Sequence, residues 1–274
     1  MNMELIDMTA IEYYQTSHTA PFHFPVTEPL WLQSMNDDVD SDGRKLFDSL
    51  TLSVIPGGMI QYGHTAFGFD ENGEISGNIH YPVIRDIVFD DPASGQKLLD
   101  EAMSAFDTDN RIHAFFHYFG MSSCARHGKL HEAQAHVHDL LLKIGFVVEH
   151  ENVYYSKVLD GGSAASDISF LWREESSGSC REFAASLDGQ EVCWGQVHFL
   201  PQGDIAYLRW IFTDGSRQHQ GIGLKVMHAL FCSLYQMGIR RFDTDTAKDN
   251  LPAQKYYEKC GFTNEGITRS YFTK

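Results

Sequence analysis

The amino-acid sequence carries one pattern twice, and that repeat narrows the folds open to it. Residues 67–77 read as strand, polar turn, strand around Asn72-Gly73, and residues 183–193 read the same way around Asp188-Gly189. Asn-Gly and Asp-Gly supply the positive φ that a tight hairpin needs. Each hairpin precedes an apolar strand, 83–89 in one half and 206–212 in the other. A polar, glycine-containing turn then leads into a helix. Apolar residues recur at helical spacing in both helices: Leu98, Leu99, Ala102, Met103 and Phe106 in the first, Leu224, Val226, Met227, Leu230, Phe231 and Leu234 in the second. Further strands fall at 111–118 and 239–244. Two late helices run to Gly145-Phe146 and Gly261-Phe262, glycine being the residue favoured just past a helix C-terminus. An aromatic strand closes each half, Val153-Tyr154-Tyr155 and Ser270-Tyr271-Phe272.

Between the repeats, Asp160-Gly161-Gly162-Ser163-Ala164-Ala165-Ser166 has the composition of a linker. The sequence therefore divides into a first domain at 1–159, a linker at 160–166 and a second domain at 167–274, and a length of 274 residues accommodates both. The fronts differ. Helical stretches are expected at 10–17 and 28–35, whereas the second half goes almost directly from 168–172 into its hairpin.

Charge and cysteine usage exclude several function classes. With 21 Lys+Arg against 37 Asp+Glu the net charge is −16. Such a surface repels phosphate backbones and argues against nucleic-acid binding, while favouring cationic partners such as amines. The acidic start lacks a basic segment followed by an apolar run, so no signal peptide is expected, and no stretch is apolar enough for a membrane span. Five scattered cysteines, an odd number, suit reduced thiols in a cytoplasm.

Two segments carry chemistry. The first is Arg217-Gln218-His219-Gln220-Gly221-Ile222-Gly223-Leu224, between a strand and a helix. A glycine turn at a helix N-terminus presents backbone N–H groups and the positive end of the helix dipole, which together suit a pyrophosphate. It is neither a dinucleotide fingerprint nor a P-loop, since the third glycine of the one and the Gly-Lys-Ser/Thr ending of the other are missing. The second runs from Asn250 to Phe262. Pro252 is allowed in a first helical turn, Asn250 is a plausible cap, and Ala253 and Tyr257 share a helix face. A tyrosine hydroxyl near a helix end can protonate a leaving thiolate.

Together these segments resemble the GCN5-related N-acetyltransferase (GNAT) family. Its Gln/Arg-x-x-Gly-x-Gly/Ala signature matches Gln218, Gly221 and Gly223, and its later Asn-x-x-Ala-x-x-x-Tyr-x-x-x-Gly-Phe pattern matches Asn250, Ala253, Tyr257, Gly261 and Phe262. The resemblance covers 167–274. It implies an α/β (α+β) fold of two GNAT-like domains, each a mixed, largely antiparallel twisted sheet flanked by helices. It implies acetyl-CoA as cosubstrate, with the pyrophosphate held by backbone amides of Gln218, His219, Gln220, Gly221, Ile222, Gly223 and Leu224. The pantetheine arm would pair with the strand at Ile211, Phe212 and Thr213, with Asn250, Ala253 and Tyr256 also at the cofactor. Tyr257 would protonate the departing CoA thiolate, and a strand N–H would stabilise the oxyanion. The implied reaction is acetyl transfer to a primary amine of a small acceptor. Transfer of another acyl or aminoacyl group, or non-catalytic CoA sensing, stays open, and so does a homodimer.

The general base is not legible. Some relatives place a glutamate on the strand before the signature, but 208–213 holds no carboxylate. Asp204, Glu191, His198, Asp243 and Asp245 are all candidates, as is deprotonation through water. The first half resembles the family in degenerate form. Pro92 stands where the signature wants Gln or Arg, Lys97 where it wants glycine, and Leu141 where the tyrosine belongs; Asp90 and Asp91 put negative charge beside any phosphate. Cofactor chemistry is thus expected in the second half alone. His127 and His131 have the spacing of a metal pair but lack HExxH, so no metal is expected. The aromatic stretch 21–25 with Trp31 reads as core or acceptor lining, and the acidic run 37–43 as a solvated loop.

Overall fold

The computed structural model describes residues 11, 24, 26–36, 39–40, 42–106, 111–116, 118–120, 128–161, 167–173, 179–218 and 220–274. All but Ile11 of the expected helix at 10–17, all but Phe24 of the stretch 21–25, His127, most of the linker and His219 lie outside them. The described chain forms two compact units, each a mostly antiparallel sheet flanked by helices. Among the described residues, no helix is long and apolar enough to cross a membrane.

One unit holds the described residues up to 40, those of 44–151, and 267–274. Helix α1 (Glu28–Asn36) buries Trp31 and Met35 against Met59 and Val88. Strands β1 (Phe47–Ile55), β2 (Gly58–Thr65) and β5 (Pro82–Phe89) form an antiparallel meander. β3 (Gly68–Phe69) and β4 (Ile75–Ser76) form a separate two-stranded hairpin. Helix α2 (Pro92–Ser104) leads to β6 (His113–Ala114), which pairs parallel to β5 at two positions, Val83↔His113 and Ile84↔Ala114. β7 (Leu130–His131), helix α3 (Ala135–Lys143) and β8 (Phe146–Val158) follow. Leu98, Leu99, Ala102 and Phe106 are buried in this unit's core, as their spacing predicts.

The Asn72-Gly73 turn forms as read, with Gly73 at φ +78° and the Asp70 carboxylate accepting from the N–H groups of Asn72 and Glu74. It is nevertheless an insertion. The structural counterpart of the 183–193 hairpin is β1–β2, which turns at Pro56-Gly57 with Gly57 at φ +83°. The expected strand at 111–118 shrinks to two residues, because Phe115 takes a positive φ of 53° and ends it.

The second unit holds the described residues of 152–266 together with 42–43. β9 (Ser169–Trp172), β10 (Cys180–Leu187), β11 (Gln190–Phe199) and β12 (Ile205–Thr213) are consecutive and antiparallel. Helix α4 (Ile222–Gln236), β13 (Arg241–Ala247), helix α5 (Leu251–Lys259) and β14 (Thr263–Thr273) complete the chain. β13 runs parallel to β12 on one side and antiparallel to the second part of β8 on the other. α4 and α5 bury Val226, Met227, Leu230, Leu234 and Tyr257 against one face of this sheet, with Leu208 and Phe242 beneath them.

These units do not follow a boundary at 160–166. β8 gives Phe146–Glu151 to the first unit and Asn152–Val158 to the second; β14 gives 263–266 to the second and 267–273 to the first. The physical reason is continuity. Each late glycine, Gly145 at φ +102° and Gly261 at φ +83°, releases an unbroken strand of 13 or 11 residues rather than a hairpin.

Candidate active site

β12 and β13 are hydrogen-bonded at only three positions, Ile205↔Arg241, Ala206↔Phe242 and Tyr207↔Asp243. Both strands continue, β12 to Thr213 and β13 to Ala247, each paired on its outer side alone. A gap lined by two strand edges opens beyond Tyr207. A bulge helps to open it: Gln196 pairs with Trp210 and Val197 with Leu208, so Arg209 is the extra residue, and bulges bend the strand that carries them. The Thr244 hydroxyl bridges the first step, donating to the Leu208 carbonyl at 3.2 Å.

The signature turn lies between β12 and α4. Asp214 caps the 3-10 turn Gly215–Arg217, and the Gln218 side chain donates to the Thr213 carbonyl at 3.2 Å. The Gln220 side chain closes the loop on the Ser216 carbonyl at 3.1 Å. Gly221 precedes α4 at φ +76°, with nothing within 4 Å of where a Cβ would stand. No side chain caps this helix, and the first helical bond runs from Lys225 to the Gly221 carbonyl. The N–H groups of the turn's end therefore face outward, as an anion site requires. Gly223 is closely packed: a Cβ there would stand 3.3 Å from both the Thr213 hydroxyl and the Tyr256 ring. Ile222 is buried in the core and Leu224 packs partly against it, so these side chains anchor the turn.

Of the strand residues, Ile211 packs on the helical side, whereas Phe212 faces the opposite side and meets the Trp194 ring with centroids 4.8 Å apart. Asn250 is engaged within the chain. Its Oδ1 accepts from the Ala253 N–H at 3.3 Å and its Nδ2 donates to the Thr246 hydroxyl at 3.1 Å, so it caps α5 and ties it to β13. Ala253 packs partly on the core. The Tyr256 hydroxyl donates to the Gly223 carbonyl at 2.8 Å, linking α5 to the first turn of α4. Tyr257 is 7% exposed, against Tyr155 and Phe262, and its hydroxyl is hydrogen-bonded with Thr244 at the gap. Burial raises the Tyr257 phenol above its ordinary range, partly offset by Thr244, so it carries its proton at neutral pH.

The acid and base candidates separate by position. Asp243 is fully buried and accepts from Tyr154 at 2.7 Å, Ser156 at 2.6 Å and Arg241 at 3.0 Å. Burial raises its pKa, against the pull of Arg241. Asp245 accepts from the Tyr207 hydroxyl at 2.7 Å. Glu191 pairs with Arg173 on the outer strands. Asp204 lies before β12, at the closed end, and His198 is buried on β11. Sequence reading missed Thr244 and Tyr207, which have no motif and gain importance only through strand register. Among the described residues no group of His, Cys, Asp and Glu could hold a metal ion.

In the first unit the turn between β5 and α2 is built differently. Asp91 caps α2 there, its carboxylate accepting from the N–H groups of Ala93 at 2.9 Å and Ser94 at 3.1 Å. A negative charge of the chain's own thus sits where an anion would bind. Arg85 is the bulge residue of β5, and its guanidinium donates to the carbonyls of Ser34 at 2.6 Å, Phe119 at 3.2 Å and Gly120 at 3.1 Å.

The second unit thus combines a strand gap, an uncapped helix start and a protonated tyrosine across the gap. Residues 146–262 match the model of the acetyltransferase (GNAT) family. Solved structures agree on the fold. A tandem GNAT protein from the clavulanic acid biosynthesis pathway superposes with a TM-score of 0.59 at 10% identity, covering 94% of this chain and 91% of its own. A GCN5-related N-acetyltransferase from Kribbella flavida gives 0.53 at 12% identity, covering 82% and 90%. A GNAT-family acetyltransferase from Colwellia psychrerythraea gives 0.52 at 13% identity, covering 98% and 96%. No curated protein sequence matches the chain.

Proposed function

We propose that the chain is an acetyl-CoA-dependent N-acetyltransferase acting on the primary amine of a small acceptor. The observation that carries this reading is the pair of facing edges of β12 and β13, open between the uncapped start of α4 and the Tyr257 hydroxyl. The residues fit the cosubstrate. Gly221 takes a φ that other residues rarely adopt, in open space. N–H groups at 220–224 would hold the pyrophosphate, and the free edge of β12 beyond Tyr207 would pair with the amides of the pantetheine arm. Acetyl-CoA supplies an activated acyl group as a thioester. The protein orients it, offers a strand N–H to the developing oxyanion, and gives the Tyr257 proton to the departing sulfur. The net charge of −16 favours a cationic acceptor. The buried thiols of Cys180, Cys193 and Cys260, none of them in a disulfide, go with a cytoplasmic setting.

The test is direct. Acetyl-CoA should raise the melting temperature, and CoA release should be detected with members of an amine library. No thermal shift at millimolar acetyl-CoA would overturn the reading.

A further inference from the structure

Strand alternation places Asp245 on the side of the gap opposite to Tyr257. Phe242 and Thr244 of β13 face the helices, Phe242 against Phe231 of α4 and Thr244 toward Tyr257 of α5. Asp243 and Asp245 therefore face the other way, where Tyr154 of β8 and Tyr207 of β12 meet them. The two carboxylates differ in access. Asp243, at the last paired position, is enclosed by three donors, whereas Asp245 is half-buried two residues further on, where the strands have parted. Its Oδ1 takes the hydroxyl of Tyr207, the last paired residue of β12, which fixes the carboxylate at the mouth of the gap. The Asp245 charge also contributes to the rise in the Tyr257 phenol, so the two groups are in electrostatic reach of each other.

The same face of β12 is aromatic. Beyond the Arg209 bulge, Trp210 and Phe212 share a face with Tyr207, and both are exposed, at 39% and 47%. Trp194 packs on Phe212, and the row continues across the sheet through Ala184 to Leu171, which is 49% exposed. A carboxylate at one end of an exposed aromatic strip matches an ammonium group on an apolar body.

We propose that Asp245 binds the acceptor's ammonium group and takes its proton, with an aromatic or aliphatic acceptor body lying on Trp194, Trp210 and Phe212. This rests on the acetyltransferase reading and gives that site its acceptor side. In the reaction, R–NH3+ yields one proton to Asp245, which passes it to water. The amine nitrogen bonds to the thioester carbon and the C–S bond breaks. The thiolate takes the Tyr257 proton, and the second proton lost by nitrogen restores the phenol. The products are the amide, CoA thiol and one released proton.

The test uses 4-phenylbutylamine and its neutral counterpart 4-phenylbutanol on the full chain. Tryptophan fluorescence should report binding of both, with the amine preferred by about tenfold or more. Asp245→Asn retains an acceptor for the Tyr207 hydroxyl; it should bring amine and alcohol to near-equal affinity and lower kcat/KM for 4-phenylbutylamine by about 100-fold. Its acetyl-CoA thermal shift should equal that of the wild type. Trp210→Ala should weaken 4-phenylbutylamine but not n-butylamine. An unchanged preference or rate in Asp245→Asn, or no binding of 4-phenylbutylamine by the wild type, overturns the proposal. Loss of the acetyl-CoA shift in the wild type would instead overturn the acetyltransferase reading beneath it.

Discussion

Arg85 and Arg209 occupy the same register position in the two halves of the chain. Each is the one residue left over where its strand bulges, and each follows closely on the last parallel pair with the next strand. Each also neighbours a residue that pairs with a glutamine, Gln61 in one unit and Gln196 in the other. Their partners differ. Arg85 is 2% exposed and bonded to three backbone carbonyls and to Gln61, whereas Arg209 is half-buried and donates to the Cys180 sulfur at 3.3 Å. One bulge has become a structural knot, while the other opens a gap.

Arg85→Lys should destabilise the protein by about 3 kcal/mol, because an ammonium cannot serve the buried carbonyls of Ser34, Phe119 and Gly120 together. Arg209→Lys should cost less than about 1 kcal/mol. Urea unfolding of the two variants measures both, and equal losses would contradict the contrast.

Gly221→Asp should raise the Kd for acetyl-CoA more than about 100-fold, since it forces a side chain into φ +76° and sets a carboxylate beside the pyrophosphate. The matching control in the first unit is Lys97→Ala. Gly95 is unsuitable, because a Cβ there would stand 2.7 Å from the Phe89 ring. Calorimetric titration with acetyl-CoA should show binding lost in the first variant and kept in the second.

Tyr257→Phe should lower kcat by about 100-fold and leave acetyl-CoA affinity nearly unchanged. Because burial raises the phenol, the alkaline limb of kcat in the wild type should lie above the ordinary tyrosine range. An unaltered rate in the variant would remove Tyr257 as the acid.

Asp91 gives a pH-dependent cap. Bonds from the Ser94 hydroxyl and N–H hold its carboxyl below the usual range. The folded-state pKa is depressed, so the stabilisation is complete above the unfolded value and fades as pH falls through the native one. The difference in melting temperature between wild type and Asp91→Asn should be constant near neutrality and shrink below about pH 4.

Local chemistry was legible in the sequence where one residue decides it. Gly73, Gly145 and Gly261 all take the positive φ their positions suggest. The helical stripes at 98–106 and 224–234 face the cores as their spacing requires, with Met103 and Leu224 partly buried at their margins. Pairing was less legible. The repeat at 67–77 has the right turn but is an insertion, and Pro56-Gly57 marks the true counterpart. Nothing local distinguishes the two, since the decision lies in which strand finds β5. The roles of Asp245, Tyr207 and Thr244 also follow from where the β12–β13 ladder stops, a property of two strands rather than of a motif.

The passage of β8 and β14 from one unit to the other makes the two repeats inseparable by cutting. A fragment beginning at residue 160 would lack Asn152–Val158, the whole ladder on the outer side of β13. One ending at 159 would lack Tyr271 and Phe272, the strand beside β6. Each half's sheet is therefore completed by a stretch of chain that a cut at the linker would leave on the other fragment.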